Sequence, residues 1–278
     1  MQPRHSMYLP GALPKLRMDS RVPLLYLEHA YLHVKNSCVM CKCADEQSTR
    51  AVHCASYSII IMGPGCTITR DAAILLGKFN TVVLWCASDG MSVYNVSTSC
   101  TYDIKNAKRQ VQLIERYRFK LWNLLLDERG CKHKYSENYK ELLLLEAAFM
   151  KQQYSELARE YGVQWNGRIP RIRDMAEDDT LNRAITMCNM ALYGIATSII
   201  YGLGFLPHFG IVHGRGSTPL AYDISDVFKC RTTIPCAMNH IKNNAIIDRK
   251  RLMAELCEQC ETIPSQMVDL LNRLFLRT

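Results

Sequence analysis

A histidine and two acids stand at fixed spacing in the stretch VHGRGSTPLAYDISDVFK: His213, then Asp223 and Asp226. A lone glutamate, Glu146, interrupts the apolar run LLLLEAAFM. One imidazole and three carboxylates are the donors that Mg²⁺ or Mn²⁺ takes in preference to thiolates. In a chain of formal net charge +8, such a site points to work on a polyanion.

Each residue also has a plainer reading. On a helix the face neighbours of Glu146 are Leu142, Leu143, Phe149 and Met150. An unpartnered carboxylate buried there is costly or forced neutral. A bound cation resolves this, and so does a place at the edge of the apolar face, within reach of water. The i, i+3 spacing puts Asp223 and Asp226 on one face of a helix start. Asp223 then serves equally well as an N-cap, with Asp226 as a first-turn acid. His213 lies in a Gly-rich loop beside Arg215. The turn Asn166-Gly167 is followed by Arg168, Arg171 and Arg173, which either grip phosphates or face solvent. Tyr193 sits in a helix of mixed apolar character. If the acids share a metal-free site, removing one relieves repulsion, so the expected effect on stability is a gain. No Walker loop, GxGxxG or nucleophile elbow is present.

These residues need elements to position them. From about residue 22 to 98 the chain reads as short strands and turns: VPLLYLEH, AYLHV, SCVMCKC, AVHCAS, SIIIM, TVVLWCA and MSVYNVS. Thr69 precedes a short helical pattern over 69–79, and Asp89-Gly90 marks a hairpin turn. After about 104 the period changes. Val111, Ile114, Tyr117, Leu121 and Leu124 recur at helical spacing. Helical patterns return at about 137–161, 179–203, 223–230, 247–259 and 264–276. The expected fold is α+β: an irregular lead-in (1–20), a β-rich domain (21–98), a linker (99–104) and a larger all-α domain (105–278).

Composition sets outer bounds. Apolar residues make up 48% of the 278, enough for a sizeable core. The apolar stretch ALYGIATSIIYGLGFL (191–206) contains Gly, Ser and Tyr and falls short of the about 20 strongly apolar residues a span requires. The start MQPRHSMYLPGALPKLR has prolines and no apolar core of a signal peptide. The expectation is a cytoplasmic protein with no membrane segment. The charge excess is spread over both halves, which permits a nucleic-acid partner without demanding one. Thirteen cysteines include Cys38-x-x-Cys41 and Cys257-x-x-Cys260. A strand points Cys38 and Cys41 to opposite faces, so buried thiols are expected rather than a zinc site or disulfides.

Several strings, in order, resemble one family. They are Glu146 with Tyr154, YGVQWNGR (161–168), DDTLNRAI (178–185), ALYG (191–194), GFLPHFGIVH (204–213) and YDISDVFK (222–229). RVPLLYLEHAYL, GPGCTITRDAA and TVVLWCASDGMSVY extend the match into the β region. The family is the CRISPR-associated adaptation integrases ("Cas-one"), most like the type I-E branch.

The resemblance implies a β-rich N-terminal domain, an all-helical catalytic domain and a homodimer. It implies metal ligands at Glu146, His213 and Asp226, with Asp223 in support and Mg²⁺ or Mn²⁺ as the ion. It implies double-stranded DNA, both fragment and CRISPR repeat, as substrate, and the second adaptation protein ("Cas-two") as partner. DNA-contact candidates are Arg168, Arg171, Tyr193, Arg215, Lys229 and Arg249, with His29 at the aromatic wedge position that splays duplex ends. The chain departs from the pattern at Ala147, Ala148 and Lys151, at Cys66-Thr67, and at Ser92. Two other functions share this fold: a catalytically idle DNA-binding scaffold, and an integrase or nuclease outside CRISPR adaptation.

Overall fold

A computed structural model describes residues 17–44, 48–97, 104–169, 175–176, 179–214, 216, 218–244 and 246–276. Residues 99–103 of the expected linker, most of the lead-in, and Arg171, Arg173 and Arg215 lie outside these.

The first third of the chain is β-rich, and the rest is helical. Two four-stranded sheets form from β1 (Val22–Leu27), β2 (Ala30–Lys35), β3 (Cys38–Cys43), β4 (Thr49–Val52), β5 (Tyr57–Met62), β6 (Thr67–Ile68), β7 (Val82–Cys86) and β8 (Val93–Ser97). The first sheet has the order β1-β5-β7-β8 and the second β4-β3-β2-β6. In the first sheet β1, β5 and β7 run parallel, with Leu25 opposite Ile60 and Ile60 opposite Val83. Helix α1 (Arg70–Lys78) lies in the crossover from β5 to β7, and the Thr69 hydroxyl caps it by accepting from the Ala72 amide. Parallel pairing explains why SIIIM carries no polar alternation: a strand covered on both faces reads as a continuous apolar run. Ile59 and Ile61 face the helices, whereas Ile60 and Met62 face the second sheet and α1. At the β7–β8 hairpin, the Asp89 carboxylate accepts from the Met91 and Ser92 amides, and Gly90 takes φ +70°.

The helical part comprises α2 (Ile104–Glu128), α3 (Tyr139–Tyr161), α4 (Thr180–Gly202), α5 (Pro219–Asp226), α6 (Thr233–Asn243), α7 (Arg249–Gln259) and α8 (Ile263–Phe275). α4 is its axis and packs on α5, α6, α8 and strands β5 and β7. It is long and apolar enough to cross a membrane, which the stretch chosen from sequence alone was not. Yet 83% of its most apolar window is buried inside the protein, so it is a core helix. Gly194, in the string ALYG, lets the sheet approach. A Cβ there would meet Leu84 Cδ1 at 2.4 Å and Ile59 Cδ1 at 3.2 Å.

Two expectations need correction. The pattern over 223–230 is the end of α5 followed by a 3-10 turn (Lys229–Arg231), and α6 was not expected at all. Pro235 masked α6; it lies in the first turn, where its missing N–H costs nothing.

Candidate active site

His213 stands on the loop between α4 and α5, and buried polar groups set that loop's path. From α2, the Gln110 side-chain amide donates to the carbonyls of Leu206 (2.9 Å) and Phe209 (2.8 Å), while its oxygen accepts from the Leu206 amide (2.7 Å). Arg118 Nε donates to the Ile211 carbonyl at 2.5 Å. Asp223, fully buried, accepts from the amides of Ile211 (2.5 Å), Val212 (3.1 Å) and His213 (3.0 Å). It also accepts from His213 Nδ1 at 2.6 Å. A carboxylate only accepts, so the Nδ1 proton is fixed and Nε2 is left with its lone pair for another partner. Gly210 makes the turn possible: a Cβ there would meet the His213 carbonyl oxygen at 2.5 Å and Asp223 Oδ2 at 2.9 Å.

Asp223 is therefore not an N-cap. The cap position of α5 belongs to Thr218, with Pro219 in the first turn, and Asp226 falls at the helix's end. A carboxylate at a helix C-terminus opposes the macrodipole, so Asp226 needs cations. Lys229, one turn on, pairs with it, and Arg129 Nη2 lies 3.6 Å from its Oδ2. Arg129 Nη1 also pairs with Glu146 Oε1. The Arg129 side chain is 2% exposed, and those of Glu146 and Asp226 are each 13% exposed. Glu146 sits on α3 at the margin of its buried face: Leu142 is buried, whereas Leu143 is exposed.

These contacts set the charge states. Burial alone would raise the Asp226 carboxyl, but Lys229 and Arg129 outweigh it and hold the group below the usual carboxylate range. Burial alone would lower the His213 imidazole. The Asp223 hydrogen bond and charge, with Asp226 and Glu146 behind them, bring it above its ordinary value.

Glu146, Asp226, Asp223 and His213 thus share one neighbourhood. Among the described residues, no three His, Cys, Asp or Glu side chains converge on a single point at coordination distance; a guanidinium lies between the two acids. The donor set nonetheless suits a hard dication. Two carboxylates and an imidazole whose Nε2 is not engaged by Asp223 are present, and buried Glu146 Oε2 lacks a hydrogen-bond partner.

The remaining candidates lie at varied places. Lys229 is turned inward and donates to the Tyr193 hydroxyl at 2.6 Å, with its charge 4.8 Å from that ring's centre. Arg168 is spent on Asn182 Oδ1 (2.8 Å), Thr186 Oγ1 (2.9 Å) and the Ile169 carbonyl (2.8 Å). Arg249 ties α7 to the β7–β8 turn through the Ser88 carbonyl (2.9 Å) and lies 3.6 Å from Glu28. His29 is exposed at φ +50° against Gly65, in the β1–β2 turn. A groove of about 840 Å³ opens beside Asp226 and Lys229, lined also by Arg168, Tyr193, Tyr154 and Trp165. The Tyr154 and Trp165 rings stack at 4.7 Å. Cys38 is exposed and Cys41 buried, so they face opposite ways, and Cys41 lies in a different core from Cys257 and Cys260.

Sequence reasoning missed Arg129, Arg118 and Gln110. The signal for Gln110 was present: it lies on the same helical stripe as Ile114 and Leu121, where a polar side chain has to find partners inside.

Known proteins show the same organisation. The family model "CRISPR associated protein Cas1" matches residues 125–251. The CRISPR-associated endonuclease Cas1 of Clostridium sp. (strain SY8519) is 28% identical over 227 residues, covering 80% of this chain and 74% of the relative. The fold matches the crystal structure of a TtCas1–DNA complex with a TM-score of 0.81 at 24% identity, over 91% of each chain. It also matches a casposase bound to an integration product, with a TM-score of 0.72 at 15% identity over 92% of this chain and 91% of that one. The family match runs from the end of α2 to the start of α7 and thus includes every element that carries the acids and His213, so over this region the chain is similar to Cas1 proteins.

Proposed function

We propose that this chain is a divalent-metal-dependent DNA integrase and endonuclease of CRISPR adaptation, of the type I-E-like branch. The observation that carries the reading is the orientation of His213 by buried Asp223, beside the carboxylate of Asp226 and that of Glu146, whose Oε2 lacks a hydrogen-bond partner. Glu146, His213 Nε2 and Asp226 would hold Mg²⁺ or Mn²⁺. Such an ion polarises a phosphodiester and stabilises a leaving 3′ oxygen. The protein's part is to position. Asp223 holds the imidazole, and Gln110 and Arg118 hold its loop. The groove of Tyr154, Trp165 and Tyr193 would guide a strand end toward Asp226 by stacking. The attacking group is the 3′-OH of a captured fragment; water in its place gives cleavage. The working form is a cytoplasmic homodimer that takes double-stranded fragment and repeat DNA, together with Cas2. His29 would stack at a duplex end, and Arg171, Arg215 and other surface cations would meet phosphates.

The internal pairing of both acids with Arg129 and Lys229 is also what an idle DNA-binding scaffold would show. A strand-transfer assay separates the two. With Mg²⁺ or Mn²⁺, a 3′-OH fragment should join to a repeat-bearing duplex, and Glu146→Ala, His213→Ala and Asp226→Ala should each abolish joining while DNA binding persists. Binding without joining in either metal would establish the scaffold. Joining to any duplex, regardless of repeat, would favour an integrase outside CRISPR adaptation.

A further inference from the structure

Arg129 follows the last turn of α2, its amide donating to the Leu125 carbonyl at 3.1 Å, and Gly130 at φ +78° ends the helix. This backbone carries the guanidinium inward, where its side chain is 2% exposed. An arginine fork has five N–H donors and can grip a carboxylate with two of them. Arg129 does less. It makes a single contact to Glu146 and stands 3.6 Å from Asp226. Its Nε and Nη2 lack hydrogen-bond partners, as does Glu146 Oε2. A structural bridge buried this deeply normally saturates its donors, because unsatisfied charge in the interior is expensive. This one faces two acids while leaving donors unspent on the arginine and an acceptor unspent on Glu146.

We infer that Arg129 is a resident counter-cation that competes with the divalent ion for Glu146 and Asp226, an inference that rests on the metal reading above. A guanidinium and a dication cannot share the space between the two acids. Arginine stays protonated at any ordinary pH, so it yields only by moving, not by losing a proton. The metal-free protein is thereby kept folded with its acids balanced, and loading is weakened by the work of displacing the arginine. Lys229 does not play this part, because Tyr193 anchors it from the other side.

The test is Mn²⁺ binding by calorimetry, with melting curves with and without Mn²⁺, on wild type, Arg129→Gln, Arg129→Lys and Asp226→Asn. Arg129→Gln should bind Mn²⁺ at least about tenfold tighter than wild type, since one nearby positive charge is gone. It should melt lower without metal and recover more on adding it. Arg129→Lys, which keeps the charge, should bind near the wild-type level. Equal or weaker binding by a folded Arg129→Gln overturns the inference. Should that variant not fold, the Arg129 Nε–H resonance of the wild type decides: it should shift as Mg²⁺ is titrated in, and an unmoved resonance at saturation overturns the inference. Asp226→Asn guards the underlying reading. If it binds Mn²⁺ as well as wild type does, the ion is elsewhere and the metal-site proposal itself fails.

Discussion

At the scale of single residues, the site depends on which charges are shielded and by what. Asp223 accepts three backbone N–H groups and an imidazole, all inside the protein. Asp223→Ala would leave these donors without an acceptor, and bonds to a charged group are worth about 1.5–3 kcal/mol each. The expected loss is about 3 kcal/mol or more in urea unfolding, well above that for His213→Ala. A smaller loss for Asp223→Ala than for His213→Ala would remove its positioning role. The ion pairs with Arg129 change the predicted sign of losing an acid. With Arg129 buried against both, Glu146→Gln weakens the compensation of an interior cation, and the metal-free protein should lose about 2–4 kcal/mol. A gain in melting temperature would show that Arg129 does not balance Glu146 in solution. His213 gives a pH signature. Its folded pKa stands above the ordinary value, so its stabilising contribution is present in full below about pH 6.5 and fades as pH rises through the raised value. Without metal, wild type should lose stability from pH 6 to pH 8 relative to His213→Gln, and parallel curves would refute the coupling. Metal affinity should rise over the same range, because a metal-binding imidazole is neutral.

At the scale of elements, a loop is held as firmly as a helix because α2 and α5 grip it from two sides. Gln110 and Arg118 on α2 take up the carbonyls of Leu206, Phe209 and Ile211. Asp223 on α5 takes up the amides that follow. Gly210 fits where these meet, with backbone oxygen, proline and carboxylate within 3 Å of any added Cβ. Gly210→Ala should therefore displace the His213 segment. Strand transfer should fall at least about tenfold, and stability should drop by about 1–3 kcal/mol, the usual range for overpacking. Unchanged activity would mean that the loop relaxes without moving His213. The strings GFLPHFGIVH and ALYG thus have physical content: one glycine admits a carboxylate, and Gly194 admits the side chains of Leu84 and Ile59.

At the scale of the whole molecule, the net charge of +8 is not all available to a polyanion. Arg168, Lys229 and Arg249 have internal partners. Binding to duplex DNA should weaken with salt at a log–log slope of about −0.9 per phosphate neutralised. Arg168→Ala should leave that slope unchanged while lowering the melting temperature, because its guanidinium staples the 167–169 turn to α4. A slope reduced by about one unit would make Arg168 a phosphate contact after all.

Much was legible because it is local. Thr69, Asn138, Asp179 and Asp248 each accept from an amide two or three residues on, so helix starts could be read from neighbours alone. The 3.6-residue period of α2, α3, α4, α7 and α8 identified the helical half. Residue type singled out the candidates: two carboxylates and an imidazole are donors that suit a hard dication. The sequence pattern places the helix start at Asp223 although Thr218-Pro219 marks the real one, and it leaves Asp223 itself open between cap and support. Its side chain had two possible employments, and only the path of the preceding loop decided between them. Gln110 reaches its carbonyl 96 residues away and Arg129 its acid 17 residues away. Periodicity says which face of a helix is buried, but not which partner waits there, because that depends on how the helices pack. The sequence alone determined most of the elements and which side chains offer oxygen and nitrogen donors; packing decided which cations stand against them.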